Sequence, residues 1–225
     1  MPPTVPGPRG PHAYAEVTRR SHGLRESRDF QEFHAFYVDA LGWPLTRGPA
    51  GAPPRLATGV AFDVLGLPAD AGLAVLGKAA SGPVALSADR TRMWFLVAAG
   101  AAEEVPGLLD WLEWGGIALD LDALGAGCGV EAPAPPLRHA RAVPGAAAWL
   151  RPPVALALPA LRLCDGGVPG GGTGTATGTG GSGGGAPDLV RLVDTAAAEC
   201  HRVRIARGHA RTIAADAHRQ PLAFS

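Results

Sequence analysis

Two aspartates stand in apolar runs where an acid is out of place: Asp63 between Phe62 and Val64, and Asp120 between Leu119 and Leu121. An ionised carboxylate buried without a partner is costly, so each needs a reason to be there. Asp122 follows Asp120 by two residues, and on a regular strand the two share a face. If the strand carrying Asp63 is the neighbour of the one carrying Asp120, the two acids could face each other, which implies a cation, a shared proton or separation by water. Without a cation, two carboxylates about 4 Å apart at an effective dielectric near 20 repel by roughly 4 kcal/mol. The competing reading sets each aspartate on the solvated face of a half-buried strand.

The other candidate side chains are placed less suggestively. Cys200, His209 and His218 are nine residues apart, which puts successive members on opposite faces of a helix and argues against a shared metal. His34 lies on an aromatic-rich helix and reads as a partly buried structural histidine. Trp94, Trp111, Trp114 and Trp149 could stack nucleobases, but in a chain with 6% aromatic residues they read first as core anchors. The run 166-GGVPGGGTGTATGTGGSGGGAP-187 has glycine enough for a phosphate loop, yet it has no lysine and no strand leading in. It reads as a flexible tether. Three cysteines without a CxxC pair suggest neither a disulfide framework nor a thiolate zinc site, and imply a reducing cytoplasm.

These side chains need a scaffold, and Gly (32) and Pro (22) are gathered in segments that leave apolar residues for one in the middle of the chain. Residues 1–26 read as a disordered arm. Ser27 caps an amphipathic helix on which Phe30, Phe33, Phe36, Tyr37, Ala40 and Leu41 recur, with Gly42 past its end. Trp43 to Thr46 reads as a short strand. A longer strand follows over 56–65, then a helix over 69–79 behind Pro68. Strands over 83–87 and 92–98 are joined by a turn, and a helix over 103–114 carries acids in its first turn. Short strands at 117–121 and 127–132 complete the order β-α-β-β-α-β plus a trailing strand, the split βαβ arrangement of ferredoxin-like and RNA-recognition-type folds.

The expected class is therefore α+β, with helices over one face of an antiparallel or mixed sheet and the first and fourth strands adjacent. One domain spans 27–164, a glycine-rich linker 165–187, and a C-terminal helix with a basic tail 188–225. The helix, read over 188–206, is expected to dock weakly or to bind a protein partner.

Charge is segregated although the net is zero. Residues 60–132 carry 3 basic and 10 acidic side chains, a balance of −7, while 1–59 carry 7 and 5, 133–165 carry 4 and 1, and 166–225 carry 6 and 4. Phosphate neutralisation by Lys and Arg supplies much of nucleic-acid affinity, so the acidic centre predicts weak or no nucleic-acid binding. Apolar runs such as 93-MWFLVAAGAA-102 reach about half the length of a membrane span, which argues against a membrane.

The stretches RLATGVAFDVLGLPADAGLAVL, MWFLVAAGAAEEVPGLLDWLEWGGIALDLDALGAGCGVEAPAP and AAAWLRPP, with the entry FYVDALGWPLTRG, resemble the N-terminal domain of bifunctional DNA primase/polymerase (Prim-Pol) proteins, especially a divergent actinobacterial group. The resemblance covers about residues 27–154 and rests on the order and spacing of the blocks. It implies a primase-polymerase core around an RNA-recognition-like sheet, a part in DNA replication, and nucleotidyl transfer on two metal ions without sequence readout. Of the positions it transfers, Asp63 matches the first acid of an Asp-x-Asp strand, where Leu65 replaces the second. Trp94 stands near a triphosphate-binding His, and Asp120 matches the acid of a third motif whose following basic position is Asp122.

The resemblance thus implies a catalytically degenerate binding or regulatory module retaining Asp63 and Asp120, with no cofactor. Mg²⁺ or Mn²⁺ enters only if Asp63, Asp120 and Asp122 form a working site, which is the alternative reading: an active nucleotidyltransferase. A further alternative follows from FYVDALGWPLTRG, which also looks like the entry of vicinal-oxygen-chelate proteins that bind small ligands, although no predicted strand after residue 56 carries the His such sites use.

Overall fold

The computed structural model describes residues 30–47, 52–136, 146–153, 158 and 188–219, the last segment with side chains up to 211. The arm over 1–26, the Ser27 cap and the linker over 165–187 lie outside the described residues. In chain order the elements are α1 (30–40, its second half Ala35–Ala40 a π-helix), β1 (Leu45–Thr46), β2 (Arg55–Ala57), β3 (Asp63–Pro68), α2 (Ala69–Leu76) and β4 (Val84–Leu86). There follow β5 (Arg92–Val97), α3 (Ala101–Trp111), β6 (Asp122–Leu124), β7 (Gly129–Glu131), β8 (Ala148–Arg151) and α4 (Leu189–Arg219).

The class is α+β as the sequence predicts. From β3 to β6 the chain runs β-α-β-β-α-β, and these strands pair antiparallel in the spatial order β6-β3-β5-β4, with β8 added beside β4. The first and fourth strands of the unit, β3 and β6, are neighbours. A second, three-stranded antiparallel sheet has the order β1-β2-β7. Alternation along the strands divides the five-stranded sheet cleanly. Leu65, Leu67, Met93, Phe95 and Val97 pack with α2, α3 and α4, while Val64, Leu96 and Leu124 pack with α1 and the small sheet. Helices α2, α3 and α4 thus cover one face, and α1 with the small sheet covers the second, which alternation alone does not assign. Tyr37 ties that second layer together: its hydroxyl donates to the Pro133 carbonyl at 2.6 Å and accepts from Trp149 Nε1 at 2.9 Å.

Several boundaries differ from the sequence reading for identifiable reasons. The single strand expected over 56–65 is two strands in different sheets, because Gly59 at φ +84 turns the chain, with its N–H bonded to the Phe62 carbonyl at 2.9 Å. A Cβ on Gly59 would lie 2.2 Å from Ala126 Cα, so no other residue fits this turn. The strand expected at 117–121 does not form. There the Ala118 carbonyl accepts from Arg204 of α4 at 2.6 Å and the Asp120 carbonyl faces Cys200 Sγ at 3.8 Å, so pairing to β3 begins only at Asp122. β8 forms where the sequence reading assigns no element.

The C-terminal helix differs most from expectation. Rather than docking weakly, α4 puts Leu189, Leu192, Val193, Ala196 and Cys200 into the main core beside Leu65, Val75 and Val105. Each of these five is at most 1% exposed. Among the described residues no helix is long and apolar enough to cross a membrane.

Candidate functional site

Asp63 is 1% exposed and occupies the start of β3 on the helix-covered face. Its Oδ2 accepts the Ala102 N–H at 2.9 Å, so it caps the first turn of α3 from outside the helix, where the N-terminus favours negative charge. Its Oδ1 is buried without a protein partner. Gly100 begins that turn at φ +85. The capping acid is remote in sequence, which explains why the helix starts at Ala101 rather than at the acids of its own first turn.

Asp120 and Asp122 lie elsewhere. Asp122 is paired with Gly66, three residues along β3 from Asp63, which is about 10 Å at strand rise and on the opposite face of the sheet. Asp120 precedes β6 and is exposed. Both acids converge on Arg92, whose Nη1 lies 2.6 Å from Asp120 Oδ1 and whose Nη2 contacts Asp122 Oδ2. Nη2 also donates to the Gly66 carbonyl at 3.1 Å. Gly66 makes the crossing possible, since a Cβ there would stand 3.3 Å from Arg92 Nη2 and 3.5 Å from Asp122 Oδ2. Arg207 of α4 extends the network, with 3.3 Å to Asp70 and 3.9 Å to Asp120. The structure therefore brings Asp120 and Asp122 together around a guanidinium and keeps Asp63 apart. Among the described residues no three metal-ligating side chains converge.

Trp94 sits at the centre of β5 on the face away from α2, α3 and α4, half-buried, between Gly66 on β3 and Ala85 on β4. Ala85 is small, and the space over Gly66 is taken by the Arg92–Asp122 pair. Above the indole the sheets part into a groove. One compartment of about 320 Å³ is lined by Trp94, Arg55, Asp89, Leu124, Val130 and Glu131, among others. A second, of about 680 Å³, shares Arg55, Leu124 and Gly129 with it and continues past Ala57, Val60 and Cys128. Arg55 donates one guanidinium N–H to the Gly129 carbonyl and makes no ion pair among the described residues. Asp89 is held below the ordinary carboxylate range, first by the Ser87 hydroxyl and then by the Thr91 N–H and hydroxyl.

Of the remaining candidates, Cys200 is buried and His209 exposed, and the His218 side chain lies outside the described residues. His34 is exposed rather than partly buried, with Nδ1 3.4 Å from Asp39. Trp149 packs as a core anchor, Trp114 donates to Asp194 at 3.1 Å, and Trp111 is 72% exposed and anchors nothing. Arg55 and Arg92 were not singled out by sequence. A signal for Arg92 was present: residues 93–137 hold seven acids and no Lys or Arg, so the last cation before that stretch is the nearest counter-charge. Compared with known proteins, the chain matches no family profile, no curated protein and no solved structure.

Proposed function

We propose that this chain is a Prim-Pol-like domain protein that has lost nucleotidyl transfer and works as a binding or regulatory module. The observation that carries this reading is the use made of the three aspartates. Asp120 and Asp122 are ion-paired to Arg92, and Asp63 caps α3 on the other face of the sheet. Two-metal transfer needs carboxylates on one side, open to bridge ions at both the attacking and leaving oxygens, and their loss costs orders of magnitude in rate. Recruiting Asp63 would require β3 to slip by one residue, which would turn Val64 and Leu65 to the wrong layers. The split βαβ sheet order, shared with RNA-recognition-type folds, agrees with the sequence resemblance.

In this reading the protein works in the reducing cytoplasm without a resident metal, and its acidic centre disfavours nucleic acid. A protein partner would meet α4 beyond its buried first half, where Arg204, Ile205 and Arg207 are exposed. The test is primer synthesis and extension with Mg²⁺ or Mn²⁺. The expected result is no metal-dependent incorporation by the wild type. Incorporation that Asp63→Ala and Asp120→Ala both abolish would establish an active nucleotidyltransferase instead.

A further inference from the structure

The groove between the two sheets gives the binding-module reading, on which this inference rests, a ligand class. We propose that it takes a planar aromatic ring carrying a single carboxylate, with the ring against Trp94 and the carboxylate on Arg55. The indole is half-buried and lines this end of the groove, with the small Ala85 beside it on β4 and the Arg92–Asp122 pair beside it over Gly66. A bicyclic ring fits the compartment of about 320 Å³ at that end. Arg55 stands where the two compartments meet, and a guanidinium there offers a carboxylate two parallel donors. Further apolar substituents would run into the larger compartment, along Ala57, Val60 and Leu124.

Charge sets the limit of one anion. Arg92 lines the same end of the groove but is engaged by Asp120 and Asp122. Asp89 and Glu131 face the site with two negative charges, and Arg55, which bonds the Gly129 carbonyl but makes no ion pair among the described residues, is the cation left to answer an anion. A polyanion such as a nucleoside triphosphate is repelled by such a wall. A ring N–H, by contrast, finds acceptors in Asp89 and Glu131.

The experiment uses the full chain and indole-2-carboxylate as probe, titrated by calorimetry beside indole, cyclohexanecarboxylate and ATP. The probe is expected to bind saturably, and roughly tenfold or more tightly than any of the three comparison compounds. Arg55→Met is expected to weaken it about tenfold with the thermal midpoint little changed, because Arg55 is exposed, its stem is preserved and only an exposed bond to the Gly129 carbonyl is lost. Trp94→Leu should remove binding and Trp94→Phe should keep part of it. Absence of saturable binding by the wild type, equal affinity for cyclohexanecarboxylate, tighter binding of ATP, or an unchanged affinity in Arg55→Met would each overturn the proposal. If Trp94→Leu does not fold, Arg55→Met and the comparison compounds still decide. A failure here leaves the absence of polymerase activity untouched, since that is read by primer extension alone.

Discussion

Asp63, Asp120 and Asp122 show how residues that look catalytic in sequence are spent on the fold. The guanidinium of Arg92 reaches two acids and a strand carbonyl across Gly66, so acids that could have gripped a metal instead fasten the edge strand β6 to the sheet. Their oddity was legible in sequence; their partners were not, because spacing within one strand says nothing of what crosses it from the next. The cysteines give a test at this scale. Burial first, then the neighbouring Asp120 charge, pushes the Cys200 thiol up to about 12, whereas Cys128 is exposed. A thiol reacts as its thiolate. In a Cys164→Ser background at pH 8, a thiol reagent is expected to label Cys128 rapidly and Cys200 only at the rate of unfolding, read by mass spectrometry. Rapid labelling of both would show that α4 leaves its seat easily.

Among the elements, α4 is where sequence and structure part most. Its apolar positions were readable, but a glycine-rich approach looked like a tether to something peripheral, and no pattern within a helix reveals how deep its seat is. The strands from β3 to β5 were legible because their alternation and turns are local, whereas β8 and the start of β6 depend on what lies beside them. Leu192 is fully buried in the main cluster, so Leu192→Ala is expected to cost about 2–5 kcal/mol in urea denaturation, as for a core leucine. A cost below about 0.5 kcal/mol, typical of surface sites, would mean α4 is peripheral after all. Polar contacts fix its register: Glu199, 6% exposed at its side chain, accepts from Lys78, in the turn after α2, at 2.7 Å and pairs with Arg202. Those bonds, Arg202 first and then Lys78, hold its carboxyl below the ordinary 4.5. A depressed carboxyl stabilises the fold above its unfolded value and ceases to as pH falls through the folded one. The wild type should therefore lose stability from about pH 4.5 downward, and Glu199→Gln should flatten that part of the profile while lowering stability at neutral pH. An unchanged acid limb in Glu199→Gln would assign the loss to other acids.

For the whole molecule, the layers are helices, a five-stranded sheet, and a small sheet with α1, and the groove exists because the outer sheet covers only part of the inner one. The groove lies on one side of the sheet, beside the smaller core cluster, and the main core on the other. The position of α4 in the chain order adds a constraint of a different kind. The seat formed by Leu65, Val75 and Val105 is made early, yet the helix that closes it begins at Leu189. A ribosome must add residues 112–188 before any of that helix emerges, so the nascent chain carries an open apolar trough for much of its synthesis. Such a surface attracts holdase chaperones and other nascent chains. Yield in a cell should accordingly depend on translation speed and chaperone supply more than the stability of the finished fold would suggest.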